Sequence, residues 1–435
     1  MNKGRRMASD VLESQRSVNE RWRLPVGLEE MLPDDAARLE SLRRAVLDRF
    51  AKSGYALVVP PLAEFLDSLL IGAGEALDLQ TFRLTDQLSG RSLGLRADIT
   101  PQVARIDAHR LCREPVDAVR IRRLCYAGHV LRCRADEWSG ARNPLQVGAE
   151  LFGVDHVEAD LEVLQLMVET LQLAGLVDYA IDLGHVGVFR ALSEVASLDP
   201  ASSAALFDAM QRKSRPDIAM MLDGPLASLD PSLKVWMTAL PGLHGGVEVL
   251  ADAETLLESQ PLDAATDEVI RAALTRLRDV SRGLDAQAVS LRLHFDLAEL
   301  RGYSYHTGLV FAAFVPGSGQ AIARGGRYDG IGAAYGHARP ATGFSTDLMT
   351  LLRGRSAGDL RANEPVVVFS PQSCSPDFRS ALNAEVSRLR AQGRTVIADL
   401  GPELDLPHGT HVQRLVARES SDGFAVRWVL ESVSD

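Results

Sequence analysis

The sequence predicts an α+β protein: a mostly antiparallel sheet flanked by helices, with an inserted helical block and a small C-terminal α/β unit. Three observations predict it. Strand-like segments follow one another with helices interspersed rather than strictly alternating, the pattern of antiparallel sheet rather than of repeated βαβ units. Residues 186–280 are Ala- and Leu-rich and helical in period, punctuated by Pro200, Pro216, Pro225, Pro231 and Pro241. A stretch rich in Gly, Ser, Ala and charge near residues 353–364 then sets off a short strand–helix–strand run.

The elements follow in order. Pro33, Asp34 and Asp35 open a helix in which Leu39, Leu42, Val46, Leu47 and Phe50 recur at three- and four-residue steps, and Gly54 ends it. Residues 56–61 read as a short buried strand closed by Pro60 and Pro61. Residues 82–86 and 91–96 form two strands around a turn at 87–90, and residues 101–111 a helix with proline at its first position. Residues 119–131 and 147–152 alternate as strands, 156–175 form a long amphipathic helix, and 179–183 and 289–295 are strands. Beyond the linker, 365–369 is a buried strand, 376–392 a helix ended by Gly393, and 395–398 a strand, a compact βαβ unit. The expected organisation is a flexible tail over 1–20 (with Met7 as an alternative start), a main domain over 21–355 carrying the insertion at about 186–280, and a C-terminal unit over 363–435.

Composition bounds the function. The chain has 435 residues, 46% hydrophobic and 24% charged, an ordinary globular balance. Its net charge of -11 argues against nucleic acid as a partner, since a nucleic-acid site needs strong local basic patches. The one short run, Arg120-Ile121-Arg122-Arg123, reads better as an ion-paired strand end than as a phosphate grip. Cys112, Cys125, Cys133 and Cys374 contain no CxxC pair, so neither a disulfide framework nor a zinc site is expected. Reduced thiols fit a cytoplasmic location. No run of 18 apolar residues suggests a membrane span, and residues 1–20 lack the apolar core of a signal peptide. No cofactor and no metal are expected.

The chemistry concentrates in a few segments. Residues 301–308 read Arg-Gly-Tyr-Ser-Tyr-His-Thr-Gly, and residues 325–330 read Gly-Gly-Arg-Tyr-Asp-Gly. Upstream lie Gly27-Leu28-Glu29-Glu30-Met31-Leu32-Pro33, Leu95-Arg96-Ala97-Asp98-Ile99-Thr100, and Leu131-Arg132-Cys133 running to Gln146-Val147-Gly148-Ala149-Glu150-Leu151-Phe152-Gly153. Over roughly residues 25–355 the chain resembles the class II histidyl-tRNA synthetase family, these five segments matching that family's motifs in order. Any one alone would be weak evidence; five in order are strong.

A pocket for free histidine needs donors for the carboxylate, acceptors for the ammonium and buried polar partners for the imidazole. The resemblance implies that Asp98, Thr100, Gln146 and Glu150 hold the ammonium and the inner face. It implies that Arg301 neutralises the carboxylate, that Tyr305 reaches the imidazole, and that Arg132 contacts the carboxylate. Gly325 and Gly326 would let backbone approach the ligand. Taken singly, Asp98 and Gln146 fit a surface or salt-bridge role better, and Gly326 a tight turn; taken together, the pocket is the better reading.

The departures from the family all fall on the nucleotide half. Thr350 stands where the synthetases carry the third-motif Arg, Met349 where they carry Glu, and Asp347 where they carry Gly. Arg134 replaces the acid that reads adenine, Asp98 is one methylene shorter than the usual Glu, and His306 replaces a second Tyr. Adenylation needs dense positive charge around a triphosphate, and losing one such contact costs on the order of several kcal/mol of transition-state stabilisation.

Residues 95–102, Leu-Arg-Ala-Asp-Ile-Thr-Pro-Gln, are similar to the signature of a synthetase paralogue family, the ATP phosphoribosyltransferase regulatory subunits. That resemblance implies a non-catalytic chain that binds L-histidine, assembles as a hetero-octamer with a short-form catalytic subunit, and relays feedback in histidine biosynthesis. It also implies a homodimer through the helix at 34–52 and Pro60, although that helix could equally do no more than cover the sheet. The competing readings are an active histidyl-tRNA synthetase with unusual motifs and a stand-alone histidine sensor.

Overall fold

The computed structural model describes residues 22–71, 77–112, 120–134, 140–285, 291–300, 302, 305–354, 366–371, 374, 376–399, 411–419 and 426–432. The expectations for residues 1–20, for the linker and for Arg301 lie outside them. The chain divides into two compact units, Met1–Arg355 and Ser356–Asp435.

The first unit is built on a nine-stranded mixed sheet. Its strands are β1 (Ala56–Leu57), β5 (Arg122–His129), β6 (Leu145–Phe152), β7 (Ala180–His185), β8 (His244–Gly245), β9 (Arg292–Asp296), β10 (Leu309–Phe314), β11 (Ala323–Arg327) and β12 (Ala341–Asp347). They lie in the order β1-β5-β6-β12-β11-β10-β7-β9-β8. From β5 to β7 every pairing is antiparallel, as the sequence predicts; β1 joins β5, and β9 joins β7, in parallel. A separate three-stranded antiparallel sheet, β2 (Ala63–Phe65), β4 (Ser92–Leu95) and β3 (Phe82–Thr85), carries the chain into the Leu95–Thr100 loop.

Helix Pro33–Lys52 buries Leu39, Leu42, Val46 and Phe50, the positions its periodicity marks. Phe50 meets Phe344 of β12 edge-on at 5.9 Å, and Arg49 Nε donates to Glu169 of helix Val157–Leu173 at 2.6 Å. The helix expected over 101–111 is α-helical only over Thr100–Arg105 and widens to a π-helical turn over Ile106–Leu111. The strand expected over 119–131 spans Arg122–His129 among the described residues, and its first two residues, Arg122 and Arg123, form ion pairs with Asp107 (3.1 Å) and Glu162 (2.6 Å). The basic run at 120–123 is thus a salt-bridged strand end.

Two prolines of the helical block begin helices instead of interrupting them. Pro200 and Pro231 occupy first positions, where a missing N–H is harmless, behind Asp199 and Asp230, whose carboxylates accept two backbone N–H bonds each. The block's Leu206, Trp236, Leu250 and Leu277 share one apolar cluster with Val163 and Phe295, so it packs into the same core as the sheet. Its last helix, Ala264–Asp285, runs past the expected end.

The second unit pairs β13 (Val366–Ser370) in parallel with both β14 (Thr395–Ala398) and β15 (His411–Glu419), and β15 antiparallel with β16 (Val426–Ser432). Helix Pro376–Ala391 completes the anticipated βαβ, and Val368, Leu382, Leu389, Val396 and Leu415 form its core. The four cysteines are free thiols, and among the described residues no helix is long and apolar enough to cross a membrane.

Candidate ligand pocket

Alternate residues on neighbouring strands face the same side of a sheet. On one face of the first unit's sheet this places Gln146 and Glu150 of β6, Gly343, Ser345 and Asp347 of β12, Arg324 of β11 and Val310 and Ala312 of β10 around a cavity of about 330 Å³. Asp98, Thr100, Arg132, Tyr305, His306 and Tyr328 close it from the loops. The structure therefore brings Asp98, Thr100, Arg132, Gln146, Glu150, Tyr305 and Gly325 to one cavity, while Gly326 is not among the residues that line it.

Glycine makes the space. Gly343 faces Glu150 across β12 and β6, and a Cβ there would lie 1.5 Å from Glu150 Oε2. On β6, a Cβ at Gly148 would lie 2.4 Å from the Tyr126 hydroxyl. A larger residue at either point would push a polar side chain out of the pocket.

Glu150 is the buried centre, 1% exposed. Its Oε1 accepts from the Tyr126 hydroxyl at 3.0 Å, and its Oε2 accepts from the Tyr328 hydroxyl. The Tyr126 oxygen is also 2.9 Å from Thr100 Oγ1. Burial pushes the Glu150 carboxyl up to about 8, against the pull of the two phenol donors. Tyr305 stacks on Tyr328 at 5.1 Å, and its buried hydroxyl has no hydrogen-bond partner among the described residues. An orphaned hydroxyl inside a polar cavity is a group set for a ligand.

Asp98 and Gln146 form a pair. Gln146 Nε2 donates to Asp98 Oδ1 at 2.8 Å, and Gln146 Oε1 accepts from the Ile99 amide at 2.9 Å. The Thr100 amide also donates to Asp98 at 2.9 Å. Both ends of the Gln146 amide are thus spent on the Asp98 loop, leaving Asp98 Oδ2 as the oxygen without a bond in that set. Arg132 lines the mouth, its Nε donating to Ala97 O at 3.3 Å. His306 Nδ1 faces the Arg327 carbonyl at 3.3 Å, and burial holds its ring down at about 4, so it is neutral.

The corner of the cavity at Asp347 is formed by a helix cap. Asp347 accepts from the amides of Leu145, Met349 and Thr350 and from the Thr350 hydroxyl, capping helix Leu348–Arg353. Arg134 is exposed. Acids Asp98, Glu150, Asp182, Glu299 and Asp347 line the cavity beside Arg132 and Arg324. With burial raising the Glu150 and Asp347 carboxyls, Asp98, Asp182 and Glu299 are the acids of this set that suit a ligand's ammonium group.

Tyr126 and Tyr328 were not nominated from the sequence. Tyr328 lies inside the 325–330 motif, so a signal was present; the Tyr126 hydroxyl's role depends on cross-strand register, which no sequence spacing states.

The model of the histidyl-tRNA synthetase family matches residues 27–351. Fold and pocket together define a member of that family's fold. A histidyl-tRNA synthetase from Nostoc superposes with a TM-score of 0.69 at 20% identity, covering 88% of this chain and 87% of that one, a likeness of fold. A Bacillus halodurans protein described as an ATP phosphoribosyltransferase regulatory subunit/histidyl-tRNA synthetase superposes with a TM-score of 0.73 at 25% identity, covering 88% of this chain and 94% of that one. The ATP phosphoribosyltransferase regulatory subunit of Alkalilimnicola ehrlichii is 47% identical over 95% of this chain and 99% of its own length. That of Ectopseudomonas mendocina is 49% identical over 88% and 91%. The chain belongs to the family of ATP phosphoribosyltransferase regulatory subunits, the non-catalytic paralogues of histidyl-tRNA synthetase in histidine biosynthesis.

Proposed function

We propose that this regulatory subunit binds free L-histidine in the Glu150 pocket and transmits its occupancy to a short-form ATP phosphoribosyltransferase catalytic chain in the cytoplasm. Asp98 and Thr100 receive the ammonium, with Gln146 holding Asp98 in place. Arg132 and Arg301 take the carboxylate, and Glu150 and Tyr305 meet the imidazole. The observation that carries this reading is the Tyr305 hydroxyl, buried without a partner among the described residues in a cavity whose inner wall is the Tyr126–Glu150–Tyr328 network. A ligand that hydrogen-bonds there is favoured over an analogue lacking the groups.

The chain pairs with itself through the region of helix Pro33–Lys52 and Pro60. Leu57, Val59 and Leu62, each at least half exposed, support that surface, since such a cluster is costly to leave in water. Four of these regulatory chains with four catalytic chains make up the hetero-octamer.

The test mixes the purified protein with a short-form catalytic chain and follows phosphoribosyl-ATP formation. The expected result is turnover only with both chains, falling as L-histidine is added. Turnover indifferent to this chain, or histidine inhibition that survives Glu150→Ala, would remove the proposal.

A further inference from the structure

Behind the pocket's floor runs a chain of charges centred on a buried pair, Arg327 and Asp160. Arg327 follows Gly326 on β11 and points to the opposite face, 4% exposed. Its Nη2 donates to Asp160 Oδ1 at 2.9 Å, and its Nη1 to Val154 O at 3.1 Å and Asp329 Oδ1 at 3.2 Å. Asp160, in helix Val157–Leu173, has no exposed surface, and its second oxygen takes Arg276 Nη1 at 3.2 Å. Arg276 sits on helix Ala264–Asp285 and also reaches Asp155, at 3.3 Å, whose side chain is largely in water. From the water-exposed Asp155 the charges run through Arg276, Asp160 and Arg327 to Asp329, itself partly exposed, and Asp155 also approaches Arg327 Nη1 directly at 3.5 Å.

The Arg327–Asp329 end holds the pocket. The Arg327 carbonyl accepts from the Thr307 amide at 2.8 Å and faces His306 Nδ1. Asp329 accepts from the Thr307 hydroxyl at 3.2 Å and from the Ala341 amide at 2.9 Å. These bonds fix the backbone on either side of Tyr305, His306 and Tyr328, all of which line the cavity.

We propose that Arg276 is a positioning residue for the pocket: through Asp160 and Arg327 it sets the 305–308 loop and Tyr328, and so couples the surface of helix Ala264–Asp285 to ligand affinity. This rests on the histidine-binding reading above. The physical reason is the full burial of Asp160. A buried carboxylate needs compensating cations, and here each oxygen has its own. Burial raises the Asp160 carboxyl while both arginines oppose that shift. Without Arg276, one guanidinium must serve Asp160, Asp329 and Val154 O. Arg327 then shifts toward Asp160, and β11 and Thr307 shift with it. Coupling is reciprocal, so occupancy of the pocket also changes how firmly Arg276 is held.

The test is calorimetric titration of L-histidine into the whole protein and its Arg276→Ala, Arg276→Gln, Arg276→Lys and Arg278→Ala variants. Arg278, on the same helix, pairs with Glu254 and stands outside the chain of charges. Arg276→Ala is expected to weaken binding about five- to tenfold, in the range of coupling through a packed network. Arg276→Gln, closer in volume, should weaken it similarly if the alanine variant melts early. Arg276→Lys should recover most of the affinity, and Arg278→Ala should bind as the parent does. Unchanged binding in Arg276→Ala and Arg276→Gln overturns the assignment alone, as does equal weakening in Arg278→Ala. A parent protein that takes up no histidine overturns the pocket reading and this assignment with it.

Discussion

The Thr350 hydroxyl donates to Asp347 Oδ2 at 2.6 Å. The resemblance to the synthetases implies Arg and Gly at these two positions in that family, with the Arg on ATP. Here they hold each other, and Asp347 takes three backbone amides besides. Together they form the N-terminal cap of helix Leu348–Arg353.

The cap should therefore be measurable as stability. Asp347→Ala removes a capping carboxylate and strands the Leu145 amide, for a loss of about 1–2 kcal/mol in urea unfolding. Thr350→Val should cost about 1 kcal/mol. Neither variant, nor the parent, is expected to catalyse ATP–pyrophosphate exchange.

Tyr305→Phe separates binding from folding. The hydroxyl has no hydrogen-bond partner among the described residues, so its removal should leave the melting temperature unchanged or slightly higher. Histidine affinity should fall about tenfold, the worth of one hydrogen bond in a dry site. A variant that melts early and binds normally would contradict the assignment.

The pH dependence of stability follows from Glu150. Its carboxyl is raised from 4.5 to about 8 in the folded chain. Folding thus favours the protonated form, and this stabilisation, full below about pH 4.5, is lost as the pH climbs toward 8. His185 and His306, lowered by burial from 6.5 to about 4, act in the other direction: their contribution is present above pH 6.5 and lost as the pH falls through 4. Melting temperatures of the parent protein should decline only between about pH 6.5 and 8, where the two histidines no longer gain, and Glu150→Gln should flatten that limb while leaving the acid limb in place.

Gly343→Ala places a methyl group 1.5 Å from Glu150 Oε2. The carboxylate must leave its two tyrosines, which costs about 1–3 kcal/mol for the overpacking alone. Loss of histidine binding with the chain still folded by circular dichroism is the expected outcome.

Much of this was legible in the sequence because motif residues are local. Leu95–Thr100, Gln146 to Glu150 and Gly325–Gly330 each carry their own spacing, and all meet at one cavity. The antiparallel core was legible from strands that follow without strict helix alternation. What stayed hidden depends on register or on three-dimensional company. Gln146 reads as a ligand residue, yet its amide is used on Asp98 and Ile99. Asp347 reads as a stray negative charge, yet it is a helix cap. Pro200 and Pro231 read as breaks, yet the aspartates before them make them helix starts. The Arg327–Asp160–Arg276 chain joins three segments far apart in sequence, and no spacing encodes it.

The central claim is that the Glu150 pocket holds free histidine and has given up the nucleotide. Calorimetric titration of the purified protein with L-histidine, followed by ATP, tests it most directly. The account predicts saturable one-site binding of histidine, abolished in Glu150→Ala, and no heat from ATP. Silence toward histidine, or tight binding of ATP at the same site, would contradict it.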